Sequence, residues 1–505
     1  MPVLNLERSR WARAALVVAS RAFVAFVVLC TLAYVVRAAV PTVFADGWWF
    51  TDTFVRHYVD GQLGVADFFN KRGGFDHAQP VHRLVLLANL AWFDMDFTFE
   101  GLVGALFGIA FFGLLATLVA RELRGKPNTL ATRELVLIGL AVTVFSFNNR
   151  DLFTWPLATL VFVYLLGISL YFLVLQGAMA RDRRWPMFAA TLACCTLLDT
   201  SGVLAAAAGC ALVAFAALRD RRYAAAAGRL AAIAGGVVLY RIAYGLLMPG
   251  AAGSPISAAG QFAGLFGRIG DAWKLLVIPA GDALISTSRV HAEFGPRWVW
   301  PVAVPCALLV ILGHVWFWRR CAAHRQERLP FLAAGLMLFF YATLAGIVWA
   351  RVPKEGFDYL TQPRYLAFYA LQVVAMLLMW AFLVGRARAA DAPAGLRAPP
   401  TAFLAGAVGV LTGLALFFMY CVRYQEMGHL RWYELQIGRQ ILALGRQGPD
   451  EPNACPLNRI EICSWPPQRR HSVIDVLKRG GLNVYSAEFL RRHRWDEKLA
   501  EDAPP

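Results

Sequence analysis

The chain has 505 residues, 58% of them hydrophobic and only 16% charged, with a mean hydropathy of +0.52. Apolar runs near the ~20 residues needed to cross a bilayer recur along it, which excludes a soluble globular protein. The net charge of +16 does not point to nucleic acid, because the cations sit in short loops between apolar runs and no basic stretch with interleaved aromatics forms a groove-binding element.

The apolar runs are rich in Leu, Ala, Val, Gly and Phe without strict alternation, so they read as helices rather than barrel strands. The N-terminal "MPVLNLERSRWARAALVVASRAFVAFVVLCTLAYVV" has a basic start and an apolar stretch too long for a signal-peptide core. It reads as an uncleaved anchor and first spanning helix. Basic clusters follow within 121–133, 181–184, 219–229, 319–328 and 386–397. Each marks the cytosolic side by the positive-inside rule. "RDRR" occurs at 181–184 and again at 219–222. A single helix over the intervening 34 residues would be about 51 Å long, too long for a ~30 Å hydrocarbon core. Two short helices joined at "LDTSG" return both clusters to one face. The same argument splits 134–180 at "FNNRDLF".

The resulting helices lie near 16–40, 101–120, 134–147, 154–178, 186–198, 202–218, 230–248, 299–318, 330–349, 366–385 and 402–422. This is an all-α polytopic membrane protein with about eleven spans, N-terminus cytoplasmic and C-terminus outside. Residues 1–422 form the transmembrane domain. Its first exterior loop, 45–100, carries an apolar run over 84–93 that is too short to span and suits an interfacial helix. Residues 423–505 form a small exterior C-terminal domain, read as αβ with a helix near 472–479. Residues 387–400, "ARAADAPAGLRAPP", read as a cytosolic linker. Seven cysteines lie in or beside apolar segments and read as small core residues. Cys455 and Cys463 fall in the polar tail, where an exterior location favours a local disulfide.

The chemistry-bearing residues gather on the exterior side. In "FADGWWFTD", Asp46 sits just past the first helix beside Trp48 and Trp49, which suit the interface belt. Partial desolvation there can tune Asp46 as a base or metal ligand; the structural alternative is a solvated helix-terminating acid. Asp52 is a second site carboxylate or an N-cap. Asp60, before Gly61, reads as a turn. "FDHAQPVHR" concentrates His77, His82 and Arg83. The two histidines do not match a helical zinc pair, so hydrogen-bonding or phosphate-binding roles are favoured over metal. Asp94, Asp96 and Glu100 suit a helix N-terminus. "FNNRDLFTW" places Arg150 at a tight turn, where it reads either as half of a buried Arg–Asp pair or as part of the polar wall of a substrate cavity. "YLTQPRYLAF" places Arg364 and Tyr365 at the mouth of a helix, where a fixed guanidinium can take a phosphate bidentately. In 249–298, Arg268 and Lys274 face headgroups or a lipid-linked ligand, and the apolar parts suit an interfacial or re-entrant helix.

This pattern resembles the GT-C superfamily of membrane glycosyltransferases that use polyprenyl-phosphate sugars. The likeness rests on a long first exterior loop with an aspartate just past the membrane, on His82-Arg83 late in that loop, on the polar turn from Asn149 to Trp155, and on Arg364-Tyr365 before a late helix. It spans most of the chain through short motifs. The resemblance implies a multi-pass protein of a bacterial plasma membrane with its C-terminus periplasmic. It implies a polyprenyl-phosphate-sugar donor, a glycan or lipid acceptor and inverting transfer. Asp46 would be the base, with Asp52 in reserve; Arg364, Arg83 and Arg150 would hold the phosphate. Members differ in metal use, and no cofactor is fixed by these residues; a divalent metal is compatible with them. Three other readings stay open: an O-antigen polymerase or ligase, suggested by the loop at 249–298; a lipid-glycan flippase or transporter, whose expected midplane charges are few here; and a non-enzymatic assembly or sensor protein with the tail as binding module.

Overall fold

The computed structural model describes residues 10–71, 78–248, 257–324, 326–389, 400–425, 427–446 and 460–495. No strand occurs among them. Nine described helices are long and apolar enough to cross a membrane. With the shorter helices that matter below, they run in chain order as follows. α1 is Arg10–Ala38, α2 Pro80–Phe93, α3 Phe97–Leu123, α4 Leu130–Val144 and α5 Pro156–Ala180. α6 is Arg184–Leu198, α7 Thr200–Asp220, α8 Tyr223–Leu247, α9 Lys274–Asp282 and α10 Pro296–His324. α11 is Arg328–Glu355, α12 Pro363–Ala387, α13 Thr401–Cys421, α14 Met427–Arg446 and α15 Pro467–Gly480.

α4 and α6 have 15 residues each, about 22 Å of helix. They are nevertheless packed into the bundle, α4 on α1, α3, α12 and α13, and α6 on α5, α7 and α8. α12 and α11 are the most buried spans, while α8 and α10 keep most of their surface outward. That surface is Leu, Ile and Val, including Leu246, Leu309 and Leu312, as a lipid-facing helix requires. Helices approach closely at several glycines. A Cβ on Gly104 would lie 2.7 Å from the Thr159 backbone, and one on Gly202 would fall on the Cys194 carbonyl. Small residues permit such contacts between membrane helices.

The two ends of the bundle differ. At one end lie the basic clusters, knitted together by Arg229 to Asp182 at 2.9 Å and Gln326 to Asp220 at 2.7 Å. Arg21, inside α1, is accounted for by Glu134 of α4, which also takes Arg133 and the Ser20 hydroxyl. The other end carries a folded cap made from the first loop and the tail. In the loop, Gly47–Phe50, Thr51–Val55 and Arg56–Val59 form one irregular helix, with a π-turn at its centre. α2 lies across α3 and α6 with Leu84 and Trp92 exposed. It starts four residues before the expected interfacial run, because Pro80 suits a first helical position.

The tail is helical where described, so the expected αβ character is replaced by helices. Val473, Ile474, Val476 and Leu477 of α15 recur at helical spacing and are fully buried. Gly481, at φ +58, ends that helix in the left-handed region, with Leu482 N bonded to Leu477 O at 2.9 Å. These residues share one hydrophobic core with Trp48, Phe54 and Leu86 of the first loop. Trp48 is 0% exposed. It is therefore a core residue of the cap and not an interface anchor. Cys463 is disulfide-bonded, the seven cysteines of the bundle are free, and Cys455 lies outside the described residues.

Candidate functional site

Three distant segments meet where α1 enters the cap. Val40 N donates to Thr154 O at 2.9 Å, and Phe44 sets its ring edge-on to Trp155, centroids 6.3 Å apart. Asp151–Thr154 in turn packs on Pro363–Tyr365. Asp46, Arg150 and Arg364 are thus carried by neighbouring pieces of backbone. Asp46 precedes the short helix at Gly47, follows Ala45 at φ +46, and is half-buried. Arg150 is half-buried, and its carbonyl starts the turn by accepting from Phe153 N at 2.8 Å.

Arg364 lies between two tyrosines. It donates to the Tyr359 hydroxyl, and its guanidinium carbon stands 5.4 Å from the ring centres of both Tyr359 and Tyr365. The aromatic faces fix the plane of the guanidinium. Tyr365 is half-buried and packs against Tyr369 at 6.5 Å.

Asp52 and Arg83 are engaged elsewhere. Asp52 accepts from Arg56 at 2.7 Å and from Arg469 of the tail at 2.8 Å. Arg83, 4% exposed, donates to Phe68 O at 2.8 Å and Asn70 O at 2.6 Å. Its charge therefore organises the loop's own backbone. His77 lies outside the described residues. Arg268 caps the end of α11, donating to Lys354 O at 2.9 Å, and Lys274 pairs with Asp358 at 2.9 Å.

His82 is 3% exposed and Glu100 is 0% exposed. His82 Nε2 meets Glu100 Oε2 at 2.9 Å, and Asn89 Nδ2 donates to Glu100 Oε1 at 3.1 Å. Both carboxylate oxygens are thus engaged, His82 meeting the carboxylate through Nε2, while its Nδ1 is buried without a hydrogen-bond partner among the described residues. Glu100 was readable only as a favourable acid near a helix start. Its partner lies on α2, and nothing in the spacing announces the pairing.

Two further acids were not singled out by sequence reasoning. Asp199, 0% exposed, sits in the α6–α7 turn at φ +43. It accepts from Lys71 at 3.0 Å, Ala78 N at 2.8 Å, Thr200 at 3.1 Å and the Tyr240 hydroxyl. Burial opposes its ionisation, but Lys71, Tyr240 and the Ala78 amide prevail, and its pKa lies below the usual carboxylate range. The first loop is thereby fastened to the bundle on both sides of residues 72–77. Asp282, at the end of α9, accepts from Thr287 N at 2.7 Å. Its carbonyl and Ser286 N are bridged by Asn148, at 3.3 and 2.7 Å. This holds α9 inside the cap end of the bundle, beside a cavity of about 50 Å³ lined by Thr143, Ser146, Asn148 and Asp282 among aliphatic side chains and the rings of Phe111 and Phe162. Among the described residues, no group of three or more His, Cys, Asp or Glu is placed to hold a metal ion.

No protein-family model, curated protein or solved structure matches the chain.

Proposed function

We propose that the chain is a GT-C-like membrane glycosyltransferase, with α4 and α6 completing eleven crossings. It moves a sugar from a polyprenyl phosphate to a glycan or lipid acceptor. In this reading the membrane is a bacterial plasma membrane, the basic end of the bundle is cytosolic and the cap is periplasmic.

One observation supports the reading above the others. The segments bearing Asp46, Arg150 and Arg364 contact one another at the mouth of the bundle, although they lie far apart in the chain. Asp46 takes the proton of the acceptor hydroxyl as that oxygen bonds to the sugar's anomeric carbon. The bond from that carbon to the phosphate oxygen breaks, and the polyprenyl phosphate leaves with the electron pair. Arg364, held flat by Tyr359 and Tyr365, and Arg150 meet the growing phosphate charge. Direct displacement inverts the anomeric configuration.

The polymerase or ligase reading drew on the loop at 249–298, in which Arg268 and Lys274 are engaged in contacts within the protein. The test uses the full-length protein in lipid nanodiscs with polyprenyl-phosphate hexoses and pentoses. Release or transfer of the sugar is expected from the wild type, with a loss of about 10²-fold or more in Asp46→Asn. Wild-type turnover by Asp46→Asn removes Asp46 as base. Use of pyrophosphate-linked oligosaccharides alone favours the polymerase or ligase instead.

A further inference from the structure

At the basic end of the bundle, α10, α12 and α13 share a row of aromatic rings. α10 is seated on α12 at Gly313, where a Cβ would fall on the Met376 sulfur. One turn further along, the Trp316 ring stands 5.5 Å from that of Trp380 of α12. Trp380 in turn stacks on Phe403 of α13, centroids 5.6 Å apart and planes within 13°. Phe403 is exposed.

Cations continue the row. Arg319 and Arg320 follow Trp316 by three and four positions, which places them on its face of α10. Both are exposed, and neither pairs with an acid among the described residues. His324 lies one turn beyond, its ring 5.0 Å from that of Phe382 of α12. Arg320 and Arg386 both act on His324 electrostatically, with Glu327 as the acid that opposes them. Elsewhere at this end the cations are matched within the protein, as Arg229 is by Asp182 and Lys126 by Glu122.

The pairing of rings with unmatched charge selects the ligand. Guanidinium groups take phosphate oxygens bidentately, and aromatic rings one turn deeper suit the level at which acyl chains begin. A soluble anion would use the arginines and leave the rings bare. A zwitterionic lipid would bring its own cation against Arg320 and His324. An anionic phospholipid uses every part: its phosphate meets Arg319 and Arg320, its glycerol esters cover Trp316 and Phe403, and its chains run along the exposed Leu309 and Leu312 of α10.

We infer that Arg319, Arg320 and Trp316 form a binding site for one anionic phospholipid in the leaflet at the basic end of the bundle. The site lies at the opposite end from Asp46 and Arg364 and does not depend on the reaction proposed above.

The test titrates the full-length protein in detergent with phosphatidylglycerol, phosphatidylcholine and the chain-free headgroup glycerophosphoglycerol, and counts bound molecules by native mass spectrometry. One phosphatidylglycerol should bind about tenfold tighter than phosphatidylcholine, and the headgroup alone should not bind in the same range. Each arginine near a lipid surface is worth a factor of about five, so the double variant Arg319→Ala, Arg320→Ala should weaken phosphatidylglycerol by about tenfold or more. Trp316→Ala should weaken it too, which a site built on charge alone would not show. The control is the double variant Arg221→Ala, Arg222→Ala, two exposed arginines between α7 and α8, and it should bind as the wild type does. All three variants alter helix surfaces or a connection, and a wild-type size-exclusion profile confirms that they fold.

Equal affinity for the two lipids overturns the inference. An equal loss in the Arg221, Arg222 variant reduces the effect to the general charge of that end and also overturns it. Binding of the headgroup as tight as that of the lipid makes this a site for a soluble anion, with the same result.

Discussion

Arg469 holds Asp52 through two nitrogens, Nε at 2.9 Å and Nη2 at 2.8 Å, across 417 positions of chain. Its guanidinium also lies 4.5 Å from the Trp49 ring centre and 4.1 Å from that of Trp465. A partly exposed ion pair contributes up to about 1 kcal/mol and stacking on two indoles adds about as much again. Arg469→Ala should therefore lower the cap's stability by roughly 2 kcal/mol, read as a lower melting temperature and faster proteolysis of the tail. Arg469→Lys keeps the charge, loses the planar fork and should fall between the two. Turnover below the melting temperature should not change. A turnover defect with normal melting would put Asp52 in the chemistry.

Asp96 gives the cap a dependence on pH. It caps α3 through Thr98 N at 3.0 Å and accepts from Arg492 and His493 of the tail, each at 3.0 Å. Burial raises its pKa, but the hydrogen bond and charge of His493, with Arg492 and the Thr98 amide, outweigh that and leave it below the usual carboxylate range. A pKa depressed in the folded state means stability that is present above the unfolded value, about 3.9, and lost as pH falls through the folded one. The tail should stay docked near neutral pH and loosen below about pH 4. Tryptophan fluorescence across that range should show the step in the wild type and not in Asp96→Asn. An equal step in both proteins assigns the acid response to another group.

Asn483 closes the base of the cap. Its side-chain amide donates to Pro41 O at 3.0 Å and Met95 O at 2.7 Å, the two ends of the first loop, and its backbone N donates to Asp94 O at 2.7 Å. Asn483→Ala removes both side-chain bonds and should cost about 2–3 kcal/mol. The residue also sits at φ +53, where an L side chain is strained by about 1 kcal/mol. Asn483→Gly should therefore be the less damaging of the two. Equal melting temperatures for the Ala and Gly variants would mean that backbone conformation does not matter there.

Two glycines separate packing from helix propensity. A Cβ at Gly202 would come 2.6 Å from Cys195 Cα, whereas Gly113 has nothing within 4 Å. Gly202→Ala must push α6 and α7 apart, at about 1–3 kcal/mol or more, and should reduce the yield of folded protein. Gly113→Ala should match or exceed the wild type, since alanine favours helix. Size-exclusion profiles of detergent-solubilised protein give the comparison. A normal Gly202→Ala profile would refute the close approach.

The spans were legible because each satisfies its own backbone and reports itself through local hydropathy. The turns at "FNNRDLF" and "LDTSG" were legible from length alone, since one helix could not fit between the basic clusters. Pro467–Gly480 contains the helix expected at 472–479, for its apolar residues repeat locally. What stayed hidden depends on partners far away in the chain. Glu100 and His82, Asp199 and Lys71, and Asn483 and Pro41 are each ordinary residues until folding sets them against one another. The irregular helix from Gly47 to Val59 has no distinctive local pattern, because the tail supplies the surface that buries it.

The shared core also reverses the usual order of events in synthesis. Trp49 bonds to Glu461, 412 positions later. At 5–20 residues per second that interval is roughly 20–80 s. Throughout it the first loop waits with its tryptophans and phenylalanines uncovered, while helix after helix is threaded into the bilayer. The earliest soluble-looking part of the chain is thus among the last to become folded. A stop codon near the end would expose an apolar face at the beginning.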